Sequence, residues 1–269
     1  MPNYARCSWG TYLMFFTSLF ESNLKVKNFA KKIIYYHSTN STNDDIWNLY
    51  SEKNESNIVV ITDNQTNGRG RSNNTWFSKP GHSITCSFLL KAIFPRKQFN
   101  LHAILIPLAV IKGIKNFLSI DLSIKWPNDI MYENKKLAGI LIESKLSPEN
   151  NKTIFNIGLG INVNEDCIDF PLELQKKSIS LKEIKGHPIQ REPLLASIFN
   201  ELDLLINTMD VSNLITSWMT ACHHKNIRVE FFNNKQPING IFKHINERGQ
   251  AIINYNNKDI EYDGAINIL

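Results

Sequence analysis

Four short runs in this chain carry basic or amide side chains, three of them beside glycines, and these residue types can line a binding site. The first is Gln65-Thr66-Asn67-Gly68-Arg69-Gly70-Arg71, followed by Trp76. Its glycines allow a tight turn and bring backbone N–H groups close to a ligand. Its two arginines present rigid forks suited to phosphate or carboxylate. A solvated basic loop or an RNA-contacting loop has the same composition. The second run, Lys125-Trp126-Pro127-Asn128-Asp129, gathers polar groups at the end of an apolar stretch, with proline stiffening the exit. The third is Lys136-Leu137-Ala138-Gly139-Ile140-Leu141-Ile142-Glu143, where Ala138 and Gly139 admit a close neighbour. The fourth is Gly158-Leu159-Gly160-Ile161-Asn162-Val163-Asn164. It is not a dinucleotide fingerprint, because no G-x-G-x-x-G run leads into a helix.

These runs need elements to position them. Strands are expected at 33–37, 57–62, 83–91, 122–126, 130–133, 137–145 and 153–163, with a turn at 134–136. Ser41-Thr42-Asn43-Asp44 supplies capping residues for a helix to about Ser51. Further helices are expected at 102–118, 192–209 and 211–223, the second with Pro193 near its start. The segment 63–82 reads as a long functional loop, and 164–190 as irregular. From residue 227 short strands alternate with turn clusters such as Asn233-Asn234 and Asn256-Asn257, which suggests a small all-β module. Residues 1–30 have no clear period and read as an extension of unknown role. The expected division is 1–30, then 31–222, then 223–269.

In this order the four motifs resemble the biotin–protein ligase family, from about Ile33 to the C-terminus. The resemblance implies an α+β fold. A mixed sheet with flanking helices would form a core like that of class II aminoacyl-tRNA synthetases, followed by a small SH3-like β-barrel. It implies biotin contacts from Ser41, Thr42, Asn43, Gln65, Gly68, Gly70 and Gly139. Arg69, Arg71 and Lys136 would contact both biotin and the reacting phosphate and carry the catalysis. Trp76, Asn128, Asp129 and Asn162 would lie on the nucleotide side, with Asp129 near Mg²⁺. Two places depart from the family pattern. Asn73 and Asn74 stand where some members have a Gly and a third Arg, and Asp263-Gly264-Ala265 replaces a common Gly-Glu pair. Ser38-Thr39-Asn40 also duplicates Ser41-Thr42-Asn43.

The implied reaction joins biotin and ATP as biotinyl-5'-AMP and passes biotin to a lysine of a biotin carboxyl carrier protein. It brings two anions together, and each unit pair at ~4 Å repels by about 4 kcal/mol at an effective dielectric near 20. Cations and Mg²⁺ offset that repulsion, and no protein nucleophile is required. The net charge of +5 and the pI near 8.9 suit anionic ligands without demanding nucleic acid. Cys7, Cys86, Cys167 and Cys222 are far apart, which points away from a zinc site or a disulfide framework and toward a cytoplasmic protein. No membrane span and no DNA-binding segment are expected, and the oligomeric state is expected to be monomer or homodimer. His223-His224 read as a helix end or surface pair. Two other readings remain: a lipoate or octanoate ligase with a related core, and an RNA-binding module built on the basic loop.

Overall fold

The structure is a computed structural model that describes residues 14–26, 29–53, 57–71, 74–147, 152–233 and 236–269. Asn73 and the first thirteen positions of the extension, Cys7 among them, therefore lie outside the described residues. The chain begins its regular structure with helix α1 (Thr17–Asn23), strand β1 (Lys32–Thr39) and helix α2 (Thr42–Lys53). Strands β2 (Ile58–Gln65) and β3 (Ile84–Lys91) follow, then helix α3 (His102–Leu118). Strands β4 (Ser123–Lys125), β5 (Asp129–Tyr132), β6 (Lys135–Leu146) and β7 (Thr153–Ile161) complete the first sheet. Its order is β1-β2-β3-β7-β6-β5-β4, with one parallel pair, β1 and β2, and antiparallel neighbours elsewhere.

The β-branched run Ile58-Val59-Val60-Ile61 explains why β2 sits inside the sheet: it is buried on both faces. Ile58 and Val60 meet Ile46, Trp47 and Tyr50 of α2 on one face. Val59 and Ile61 join the main core on the other, with α3 and helix α6 (Arg191–Thr208). The helical stretch Arg96–Leu118 is long and apolar enough to cross a bilayer, yet 67% of its apolar window is buried inside the molecule. It packs as a core helix against α6.

The segment expected to be irregular holds two short helices before α6: α4 (Leu172–Gln175) and α5 (Leu181–Lys185). Ser180 and Glu183 form a reciprocal capping box that starts α5. Each helix is too short to show a period, which is why none was visible. The hairpin between β5 and β6 turns at Glu133-Asn134 rather than 134–136, because Lys135 already pairs with Tyr132. Glu133 takes the left-handed backbone this tight turn needs (φ 51°).

After α6 come α7 (Val211–Ala221) and a second sheet of β8 (Arg228–Asn233), β9 (Gln236–Ile245), β10 (Ala251–Tyr255), β11 (Lys258–Tyr262) and β12 (Asn267–Ile268). This five-stranded antiparallel sheet has the order β11-β10-β9-β8-β12. It does not possess a core of its own. Val229, Phe231, Phe242 and Ile253 belong to the same apolar cluster as the first sheet's helices. Trp126 and Trp218 meet at 6.1 Å, and His224 lies 4.3 Å from Phe242. His224 is therefore buried, not a surface residue, and burial pulls its pKa down to about 3. It stays neutral and structural.

The extension is anchored where it is described. Phe15 and Phe20 are buried, and Phe20 packs 5.7 Å from Phe199 of α6. The backbone N–H groups of Phe15 and Phe16 donate to Asp63 and Glu192. Two aromatic pegs leave no periodic trace in a sequence.

Candidate active site

One cavity of about 250 Å³ lies where the ends of α2, β2, β5, β6 and β7 meet. It is lined by Ser41, Thr42, Asn43, Gln65, Arg69, Gly70, Arg71, Trp76, Asn128, Asp129, Lys136 and Gly139. Twelve residues expected from sequence are thus gathered from four separate stretches. Gly68 and Asn162 are not in that lining. Gly68 instead lets the loop close, because a Cβ there would stand 2.5 Å from the Trp76 carbonyl and 2.6 Å from Gln65 Nε2. Asn162 spends its amide on the carbonyls of Lys136 (3.4 Å) and Ile179 (3.1 Å). It faces a neighbouring hollow of about 90 Å³ behind Trp76, shared with Phe170 and Leu174.

The floor is made by two glycines that pair across β6 and β7, Gly139 and Gly160. The Trp76 indole lies flat on them: a Cβ on Gly160 would come within 2.3 Å of its Cε2. Trp76 Nε1 is buried without a hydrogen-bond partner among the described residues. A third glycine, Gly158, makes room for Asn43, whose Oδ1 would be 2.1 Å from a Cβ there. The thinned strands therefore admit protein side chains, which in turn shape the hollow.

The two ends of the cavity differ in chemistry. At one end Gln65 Oε1 accepts from the Thr42 backbone N–H (2.9 Å), and Thr42 Oγ1 lies 2.7 Å from Ser87 Oγ. At the other end Lys136 and Arg71 meet beside Asp129, whereas Arg69 lies on the Asn43 side. Lys136 Nζ is 2.7 Å from Asp129 Oδ1 and 5.8 Å from the Trp76 ring centre. Arg69 reaches Glu143 (2.9 Å) and Asp44 (2.8 Å). Burial pulls the Arg69 pKa down, but hydrogen bonds and charge from Glu143 and Asp44 outweigh this and hold it above its usual value. Arg71 is lowered by burial, with Asp129 and Tyr262 opposing the shift. Arg71 and Lys136 thus share one hollow and one acidic neighbour.

Sequence reasoning missed three contributors. Glu143 closed the third motif but received no role; its partners Trp47 and Arg69 lie 96 and 74 residues away. Ala265, Ile266 and Asn267 bring the C-terminal sheet into the cavity wall, and Trp126 Nε1 donates to the Gly264 carbonyl at 2.8 Å. Thr85 and Cys86 of β3 also line it. Burial pushes the Cys86 thiol well above its ordinary pKa, which removes it as a nucleophile. Among the described residues no group of three His, Cys, Asp or Glu side chains is arranged to hold a metal.

Residues 35–164 match the model of the Biotin/lipoate A/B protein ligase family. The chain is 33% identical to the bifunctional ligase/repressor BirA of Bacillus subtilis over 175 residues, 65% of this chain and 54% of that protein. It is 31% identical to human biotin–protein ligase over 204 residues, 70% of this chain and 27% of that one. The chain thus spans about half the length of the bacterial relatives it matches. In three dimensions it resembles an arginine-to-glycine variant of the biotin protein ligase of Aquifex aeolicus in complex with biotin. That match has a TM-score of 0.73 and 25% identity, and covers 89% of this chain and 98% of that one. A second Aquifex aeolicus structure, with biotin and ATP, has a TM-score of 0.72 at 24% identity, covering 89% of this chain and 99% of that one.

Proposed function

We propose, for a chain that belongs to the biotin/lipoate A/B protein ligase family, that it activates biotin with ATP and transfers it to a lysine of an acceptor protein. The observation that carries this reading is that Arg69, Arg71 and Lys136 line one cavity together with the neutral polar groups of Thr42, Asn43 and Gln65. An RNA-binding surface would spread its cations over an open face to follow a backbone. Here they point into a hollow of molecular size.

The chemistry follows from the charges. A biotin carboxylate oxygen attacks the α-phosphorus of ATP, and the bond from that phosphorus to the pyrophosphate oxygen breaks. Lys136, Arg69 and Arg71 neutralise the approaching anions and the charge that builds on phosphorus. Their present partners, Asp129, Glu143 and Asp44, are carboxylates that substrate anions replace. In the second half, an acceptor amine attacks the acyl carbon, the bond to the phosphate oxygen breaks, and AMP leaves with release of one proton. Trp76 covers the floor, which favours exclusion of water from the hydrolysable anhydride. Asp129 is a single carboxylate already engaged by Lys136. Mg²⁺ therefore fits as part of the nucleotide substrate, held mainly by phosphate oxygens.

The acceptor in this reading is a carrier domain of a biotin-dependent carboxylase, and the protein is cytoplasmic, as monomer or homodimer. Lipoate is the competing substrate, since the family model covers both acids. Incubation with Mg-ATP and either biotin or lipoate, followed by mass analysis, separates them. Biotinyl-adenylate is the expected product. Lipoyl-adenylate alone, or no adenylate from either acid, overturns the assignment.

A further inference from the structure

A hydrogen-bonded chain runs behind the cavity from Arg69 to Thr42, and one carboxylate fixes its direction. Glu143 takes the Arg69 fork (2.9 and 3.3 Å), Trp47 Nε1 (2.9 Å) and Asn43 Nδ2 (3.5 Å). An ionised carboxylate only accepts, so Asn43 must turn its NH₂ toward Glu143. That leaves Asn43 Oδ1 facing Ser87, whose hydroxyl donates to it at 2.6 Å. A serine hydroxyl has one proton. In its 2.7 Å contact with Thr42 Oγ1, Ser87 therefore accepts and Thr42 donates. The longer contact from Thr42 Oγ1 to Gln65 Oε1 (3.2 Å) gives way, since Gln65 Oε1 already holds the Thr42 backbone N–H. Thr42 has then spent its only proton inside the wall. What it shows to the cavity is an acceptor lone pair.

We infer that Glu143 is a positioning residue that sets this polarity, so that Thr42 Oγ1 accepts an N–H from the ligand head rather than donating to it. This rests on biotin being the ligand: its ring carries N–H donors, whereas a dithiolane ring carries none. The device is enclosed. Ser87 and Asn156 are fully buried, Asn43 is 5% exposed, and Asn156 Nδ2 anchors the Asn43 carbonyl at 3.0 Å. Ser87 is outside the cavity lining, so it acts only through its neighbours.

The test uses the full chain with biotin as the titrant, in wild type, Glu143→Gln, Ser87→Ala and Arg69→Ala with and without Glu143→Gln. Glutamine keeps the shape but removes the charge and the obligatory acceptor. We expect biotin KM in pyrophosphate exchange to rise about tenfold in E143Q and S87A, the cost of a lost or reversed buried hydrogen bond. In these two variants the kcat and the ATP KM should stay within about threefold, as for lost ground-state binding. The E143Q effect should persist when Arg69 is already alanine. If E143Q does not fold, S87A decides alone. Unchanged biotin KM in S87A and E143Q, or an E143Q effect that vanishes in the R69A background, overturns the inference while the ligase reading stands. A wild-type protein that takes up no biotin overturns both.

Discussion

The two ends of the cavity are built on opposite principles. At the Thr42 end the polar groups are buried and satisfied by one another: Thr42, Asn43 and Ser87 are all nearly inaccessible and all hydrogen-bonded. At the Lys136 end the cation is partly exposed, with 36% of the Lys136 side chain accessible, and it is held by Asp129, a carboxylate that another anion can replace. Recognition of a neutral ring needs fixed donors and acceptors, because a misplaced buried group costs its full desolvation. Chemistry on anions needs charges that can change partners. The difference teaches that one hollow can be rigid where it selects and exchangeable where it reacts.

That contrast is most sharply broken by Lys136→Ala. Adenylate formation should fall by about 10²- to 10³-fold, as for loss of one group that stabilises developing charge. The melting temperature should barely move, since Lys136 is a half-exposed strand-start residue. Stopped-time assays of pyrophosphate release beside a melting curve check both halves. A parallel loss of stability would place Lys136 in the rigid class instead.

Arg71→Ala should act later in the cycle. With this half-buried cation gone, biotinyl-adenylate should escape, and the free intermediate should rise by about tenfold, near 1.4 kcal/mol of lost retention. Ultrafiltration and mass analysis of the filtrate measure it. Gly160→Ala tests the floor shared by both ends. Its Cβ would fall 2.3 Å from Trp76, so the indole must shift, at a cost of about 1–3 kcal/mol by overpacking. Denaturant unfolding reads that loss, and wild-type stability in this variant would mean that the floor yields.

The smallest effect concerns pH. Burial alone would raise the Glu143 pKa, but hydrogen bonds from Arg69 and Trp47 and the Arg69 charge hold it below its ordinary value. A depressed carboxyl contributes stability above its unfolded pKa and loses it as pH falls through the lower folded value. The melting-temperature gap between wild type and Glu143→Gln should therefore be present at pH 7 and close on acidification below about pH 4, the usual carboxylate range. A gap that widens in acid would mean the carboxylate is not stabilised by these partners.

Much of the fold was legible because local patterns encode it. The apolar face of 102–118 marked its helix to the residue, and the β-branched run 58–61 marked a strand that continues to Gln65, beyond the expected end at 62. Gly139 announced close approach, though not by what. Three features were illegible. Phe15 and Phe20 bind through isolated pegs, α4 and α5 are shorter than any period, and the cavity wall at 265–267 comes from a distant sheet. Asn162 was legible as a polar residue at a strand end, but its backbone partners diverted it from the main cavity.

By itself, then, the sequence determined which side chains carry charge, where strands and helices form and where the backbone is thin enough for contact. These depend on residue type and near neighbours. Only the tertiary structure decided that Glu143 meets both Arg69 and Asn43, that Asp129 pairs with Lys136 while facing Arg71, and that the last strand completes the hollow. The direction of a hydrogen bond and the partner of a charge are set by atoms within about 3 Å. Folding brings those atoms together across stretches of chain that carry no record of one another.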